Sequence, residues 1–287
     1  MTRFAAESAT QQPVPRGRIV LRTVAGNRDL RYYAYLPHRN LAANAPALVA
    51  VHGISLNARE QAQRFMPLVE EYGVALLAPQ FLPPVYRDYQ RLGRDGLGSR
   101  ADLALERMLA DWQECTGIDT RRINLFGFSG GAQFAHRYAM AHPGSVNALA
   151  LTAPGWFTFP DDRRYPYGLR RSPRLPDVRI DLAAFCDVHT AVFVGGDDVE
   201  RDDALRVSER LDRQQGRTRL DRAQNWVAQM RAASERLQKP TRYRIELLPG
   251  CGHDFEQCMT TGALGAKALQ FLYSEADMVL PDASLTT

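Results

Sequence analysis

The sequence predicts an α/β fold: a mostly parallel, eight-stranded sheet with helices on both faces and a small lid-like insertion. Three observations lead there. Short apolar runs, of the kind a strand covered on both faces needs, alternate with longer segments of helical period along most of the chain. The first two strand-like segments alternate apolar and polar residues across a turn, as an edge hairpin does. With 287 residues, 45% hydrophobic and 24% charged, the chain can bury one such sheet completely. Residues 1–287 are therefore read as a single domain, with 1–16 a polar, flexible N-terminus.

In chain order, residues 17–24 form the first strand, Ala25-Gly26-Asn27 a turn, and residues 30–36 the second strand, ending at Pro37. Ala47-Leu48-Val49-Ala50-Val51 is a continuous apolar strand closed by His52-Gly53. A helix over 57–72 and a buried strand over 74–78 follow. The segment 100–115 places Leu103, Leu105, Met108, Leu109 and Trp112 at helical spacing. Beyond it come a strand at 123–126, a helix at 130–141 stopped by Pro143, and strands at 146–151 and 191–194. Helices at 204–214 and 223–237, a strand at 243–248 and a closing helix at 263–273 complete the pattern. A hairpin followed by repeated strand–helix units implies parallel pairing with right-handed crossovers. One stretch breaks the rhythm. Residues 156–181 mix aromatics, prolines and arginines without a period; they are too long for an idle loop and too aromatic for disorder, so they read as a lid.

The net charge is +4, and arginine supplies most of the basic side chains. The densest basic cluster, Arg163 to Arg174, is interrupted by Pro166 and Pro173 and lacks any nucleic-acid-binding spacing, so it reads as solvated surface and no nucleic-acid partner is expected. The four cysteines match no metal or redox spacing. Cys251 and Cys258 bracket His253 and could pair, but free thiols are the expectation for a chain that does not need disulfides. No apolar leader and no membrane-length run is visible, which makes a cytoplasmic protein the expectation.

The chemistry concentrates in Gly127-Phe128-Ser129-Gly130-Gly131, a G-x-S-x-G pentapeptide between a strand and a helix. A turn that tight strains the serine backbone and excludes side chains at the flanking glycines. It lifts the Ser129 hydroxyl clear of the sheet over a helix N-terminus that favours anions. A plain helix-capping serine is the structural alternative. Ser129 needs a base. His253, in Gly250-Cys251-Gly252-His253-Asp254-Phe255 after the last strand, is the best placed of six histidines; His52 suits a structural hydrogen bond, His136 and His142 lie on the wrong side, and His38 and His189 fall outside the site loops. The base needs an orienting acid. Gly195-Gly196-Asp197-Asp198 follows the strand at 191–194, which nominates Asp198, with Asp197 the close competitor and Asp202 and Asp203 behind it. The order serine, aspartate, histidine fits this fold and not chymotrypsin or subtilisin. Two N–H donors should face the developing oxyanion: Gly130, and Ile54 in His52-Gly53-Ile54-Ser55, with Ser55 the alternative.

These elements together resemble the α/β-hydrolase superfamily over about residues 17–273. The stretch from Phe128 to Pro143 is loosely similar to bacterial esterases related to polyhydroxybutyrate depolymerases and feruloyl esterases. The resemblance implies a serine esterase acting on a small-molecule ester through an acyl-enzyme, with neither metal nor organic cofactor. Trp156, Phe157 and Phe159 of the lid are then expected to wall the substrate pocket. A serine peptidase or an acyltransferase would use the same three residues, and a non-catalytic binding protein on this fold would have no need of all three. The oligomeric state is not legible.

Overall fold

The computed structural model describes residues 13–274. Eight strands form one sheet: β1 (Val20–Thr23), β2 (Arg31–Tyr35), β3 (Leu48–Val51), β4 (Leu76–Gln80), β5 (Ile123–Phe128), β6 (Val146–Thr152), β7 (His189–Gly195) and β8 (Tyr243–Leu248). Their spatial order is β1-β2-β4-β3-β5-β6-β7-β8. β2 runs antiparallel to both β1 and β4, and every other pairing is parallel.

The central strands are buried on both faces because their residues divide by parity between two cores. Val49, Val51, Leu125, Leu149, Leu151, Val192 and Val194 enter one core. Leu48, Ala50, Phe126, Ala148, Ala150, Ala191 and Phe193 enter the other. The first core is closed by α2 (Ala101–Thr116), α3 (Gly130–Ala141) and α6 (Arg219–Arg236); the second by α1 (Ala58–Tyr72) and α8 (Leu264–Leu272). Short helices α4 (Leu182–Phe185), α5 (Glu209–Gln215) and α7 (Phe255–Thr260) sit between these units.

Local chemistry moved several expected boundaries. The strand expected at 74–78 starts two residues later, because Gly73 takes a left-handed cap (φ 65°) and the Val74 N–H still donates to Val69 O at the end of α1. The helix expected from 204 starts at Glu209, where the Ser208 side chain accepts from the Leu211 N–H. The helix expected from 223 starts at Arg219, behind a reciprocal cap between Thr218 and Asp221. Of the N-terminal stretch expected to be flexible, residues 1–12 lie outside the described residues. Val14 is buried, and Arg16 donates to Pro37 O at 2.9 Å.

Candidate active site

The residues nominated from sequence lie on loops at the carboxyl ends of β3, β5, β7 and β8, where open α/β sheets bind ligands. Ser129 follows β5 directly with φ 52° and ψ −113°, a strained conformation for a residue with a side chain. The surroundings enforce it. A methyl group on Gly127 would lie 2.5 Å from the Gly131 carbonyl, and one on Gly131 would lie 2.0 Å from Val51 O. Neither position admits a side chain, so the turn stays tight. The Ser129 N–H donates to Thr152 O at 2.8 Å, and Ser129 O accepts from the Gln133 N–H at 3.1 Å.

The structure brings Ser129, His253 and Asp198 together. His253 Nε2 lies 3.0 Å from Ser129 Oγ, and His253 Nδ1 lies 2.9 Å from Asp198 Oδ2. A proton on Nδ1 donates to the carboxylate and leaves Nε2 to accept from the serine hydroxyl. The imidazole stacks on Phe128, with ring centres 5.4 Å apart, and Phe255 meets that phenyl edge-on. Asp198 is buried while Asp197 is exposed, which separates the two competitors.

A residue not anticipated from sequence completes this network. Arg219, the first residue of α6 and only 1% exposed, contacts Asp198 Oδ1 at 3.2 Å through Nη1. The same guanidinium donates to Asp202 Oδ2 at 2.9 Å and, through Nη2, to Asp202 Oδ1 at 2.7 Å. Asp202 thus pairs with Arg219 and not with His253, and Arg219 holds its carboxyl below the usual carboxylate range. The cap at Thr218 and Asp221 could have placed Arg219 at a helix start, but nothing in the sequence places that helix against Asp198.

The loop after β3 is held by His52. Its Nδ1 donates to Gly53 O at 2.8 Å, its Nε2 accepts from the Phe81 N–H at 3.0 Å, and Tyr89 Oη donates to His52 O at 2.9 Å. Burial pulls its pKa down to about 4, so it works here as a neutral strut. Gly53 packs toward Ser129, and a methyl on Gly130 would lie 2.9 Å from Ile54 Cγ2, so the two nominated oxyanion donors belong to adjoining backbone segments. A cavity of about 320 Å³ opens over Ser129 and His253, walled by Ile54, Ser55, Phe128, Ala204 and Phe255, with Glu60, Asp254 and Glu256 among its polar lining. A wider hollow of about 980 Å³ along α2 contains no histidine.

Trp156, Phe157 and Phe159 do not wall that cavity. All three are buried. Phe157 stacks on Trp226 with ring centres 4.8 Å apart, and its backbone exchanges two 2.8 Å hydrogen bonds with the Gln215 side chain. The Thr158 N–H donates to His136 Nε2 at 3.0 Å, and Trp226 Nε1 donates to Thr158 O at 2.8 Å. Phe157 and Phe159 thus belong to the core under α6, where they serve packing, while Trp156 packs on Tyr167 and under the Arg137 guanidinium. Among the described residues no disulfide joins any of the four cysteines. Among the described residues no cluster of histidine, cysteine or acids has metal-site geometry, and no helix is long and apolar enough to cross a membrane.

Strand order, crossover pattern and elbow define the α/β-hydrolase fold, and solved structures of that type match nearly the whole chain. A poly(aspartic acid) hydrolase from a Sphingomonas species superposes with a TM-score of 0.74 at 21% identity, covering 90% of this chain and 98% of its own. A poly(3-hydroxybutyrate) depolymerase from Bordetella parapertussis gives 0.71 at 22% identity, covering 93% and 92%. An acetyl xylan esterase from Aspergillus awamori gives 0.55 at 14% identity, covering 89% and 99%. No protein-family model and no curated protein matches the chain by sequence.

Proposed function

We propose that this protein is a serine hydrolase that cleaves a carboxylic ester, or a related acyl bond, of a small molecule through an acyl-enzyme on Ser129. The observation that carries the reading is the hydrogen-bonded chain Asp198–His253–Ser129, its serine backbone strained at φ 52° beneath a cavity of small-molecule size. The solved neighbours lend support, because their described substrates differ in backbone but share an acyl bond.

In this mechanism His253 Nε2 takes the Ser129 proton as Oγ attacks the acyl carbon. Asp198 keeps the Nδ1 proton in place and stabilises the imidazolium. The Gly130 and Ile54 N–H groups receive the tetrahedral oxyanion, and loss of one such donor typically costs about 2.7–4 kcal/mol of transition-state stabilisation. His253 returns its proton to the leaving oxygen, an acyl-serine remains, and the same base activates the water that hydrolyses it.

The test is hydrolysis of p-nitrophenyl esters from acetate to octanoate by wild type and Ser129→Ala side by side. Turnover in wild type that vanishes in the variant is expected, with shorter chains preferred by the modest cavity. Equal rates in both proteins would sink the proposal.

A further inference from the structure

Three guanidinium groups converge on one indole. Arg137 Cζ lies 4.1 Å from the centre of the Trp156 ring, Arg91 Cζ at 5.5 Å and Arg206 Cζ at 5.6 Å. A fourth, Arg210, lies 4.1 Å from the ring of Tyr167, which packs against Trp156. An aromatic face attracts cations but carries no net charge, so their mutual repulsion remains. Among the described residues none of the four pairs with a carboxylate; Asp88, whose charge reaches Arg91, is itself bound to Arg94 at 2.7 Å. Arg206 and Arg210 alone would be ordinary solvated arginines. Arg137 is not ordinary, because it is fully buried. Its Nε and Nη1 donate to Thr158 Oγ1 at 3.0 Å, Gln90 O at 2.6 Å and Gln133 O at 3.2 Å, while Nη2 has no hydrogen-bond partner. A buried cation without a counter-ion is costly, and its field reaches beyond its own contacts.

The cluster lies outside the lining of the cavity over Ser129 and is connected to the nucleophile through Gln133, Gln90 and the loop at Ala204. Arg137 reaches back one turn of α3 to Gln133, whose N–H is bonded to Ser129 O. Gln90, beside Arg91, brings Cγ within 3.3 Å of where a methyl on Gly130 would lie. Ala204 walls the cavity over Ser129, and Arg206 follows two residues later. The backbone beneath both heads is anchored: Arg206 O accepts from Arg222 Nη1 at 3.1 Å, and Arg91 O accepts from Tyr165 Oη at 2.8 Å. The acids on the other wall already have donors. Glu256 is paired with Arg64, Glu60 accepts from Asn57 at 3.1 Å, and Asp254 accepts from the Gln257 N–H at 2.7 Å.

We infer that the substrate of Ser129 carries a carboxylate, bound by Arg91 and Arg206 beside Trp156, with Arg137 supplying positive potential from beneath the ring. This rests on Ser129 being the nucleophile. Guanidinium forks suit carboxylates, and one such group offsets the repulsion between the two heads.

The test compares p-nitrophenyl hydrogen glutarate with p-nitrophenyl pentanoate, an anionic and a neutral ester of equal acyl length. Wild type should favour the glutarate in kcat/KM by about ten-fold or more, and Arg91→Gln and Arg206→Gln should each lower that ratio by about ten-fold, the size of one lost charge-assisted contact. Adding about 0.5 M NaCl should shrink the preference through screening. A wild-type ratio of one or below, or a ratio unmoved in both variants, overturns the inference. Calorimetric titration of monomethyl glutarate into Ser129→Ala reads the subsite without turnover, so it answers even if neither ester is cleaved. Binding that weakens about ten-fold in the Arg206→Gln background supports the assignment. No binding, or tighter binding of inorganic phosphate, overturns it.

Discussion

Arg219 and Arg137 are both buried guanidiniums on helices, and their surroundings are opposite. Arg219 meets two carboxylates, Asp198 and Asp202, within 3.2 Å. Arg137 meets carbonyls, a hydroxyl and an indole face, and no carboxylate among the described residues. The difference teaches where charge is balanced in this molecule. Around Asp198 the positive charge of Arg219 is more than matched by two carboxylates, which hold it in place. Around Trp156 the positive charge has no carboxylate partner among the described residues. A buried pair is strongly destabilised when one partner is removed, whereas removal of a buried ion that has no partner loses hydrogen bonds and relieves a desolvation cost.

Both arginines can be weighed only against the chemistry they flank, so the largest effect comes first. Ser129→Ala should reduce kcat by roughly 10⁶-fold, as loss of the nucleophile does in a serine protease, while its thermal midpoint does not fall. Steady-state kinetics with parallel calorimetry measure both. Asp198→Asn should lower kcat by about 10⁴-fold, by analogy with the same change in a serine protease. Asp197→Asn should stay close to wild type; a steep fall there, with Asp198→Asn active, would undo the assignment of the acid.

The arginines come next. Arg219→Met leaves Asp198 and Asp202 without their cation and should destabilise the fold by about 3–5 kcal/mol in denaturant titrations. Assayed where it is still folded, it should lose kcat with KM nearly unchanged, because it positions Asp198 and does not touch substrate. Arg137→Met should cost less, about 1–3 kcal/mol for carbonyls left without donors. If Arg137→Met proves the more damaging, the contrast between the two sites fails. The smallest effect is in acid. Arg219 lowers the Asp202 pKa, so that carboxylate contributes stability fully above its unfolded value of about 3.9 and loses the contribution as pH falls through the lower folded value. The stability gap between wild type and Asp202→Asn should therefore be constant at neutral pH and close below about pH 4.

What could be read from the sequence follows how local its cause is. That Ser129, Asp198 and His253 would meet could be read because backbone geometry pins them: glycines at an elbow, and loops directly after strands. All eight strands were legible from their apolar runs or their alternation, with element ends displaced wherever a cap such as Gly73 or Ser208 decided the boundary. Arg219 and Arg137 were not legible, because their roles depend on which helix packs on which loop, and one arginine in a sequence looks like another. Phe157 and Phe159 misled for the same reason: aromatic residues in an aperiodic stretch fill a core as readily as they line a pocket.

The strained backbone of Ser129 has one more consequence. A glycine there could hold φ 52° without penalty, whereas the serine bears about 1–3 kcal/mol of strain, against roughly 0.5–1 kcal/mol of extra chain freedom that a glycine loses on folding. Ser129→Gly should consequently melt at or above the wild-type temperature while hydrolysing nothing. Breeding this protein for heat resistance alone would favour its inactivation, and only a screen that also demands turnover would keep the serine in place.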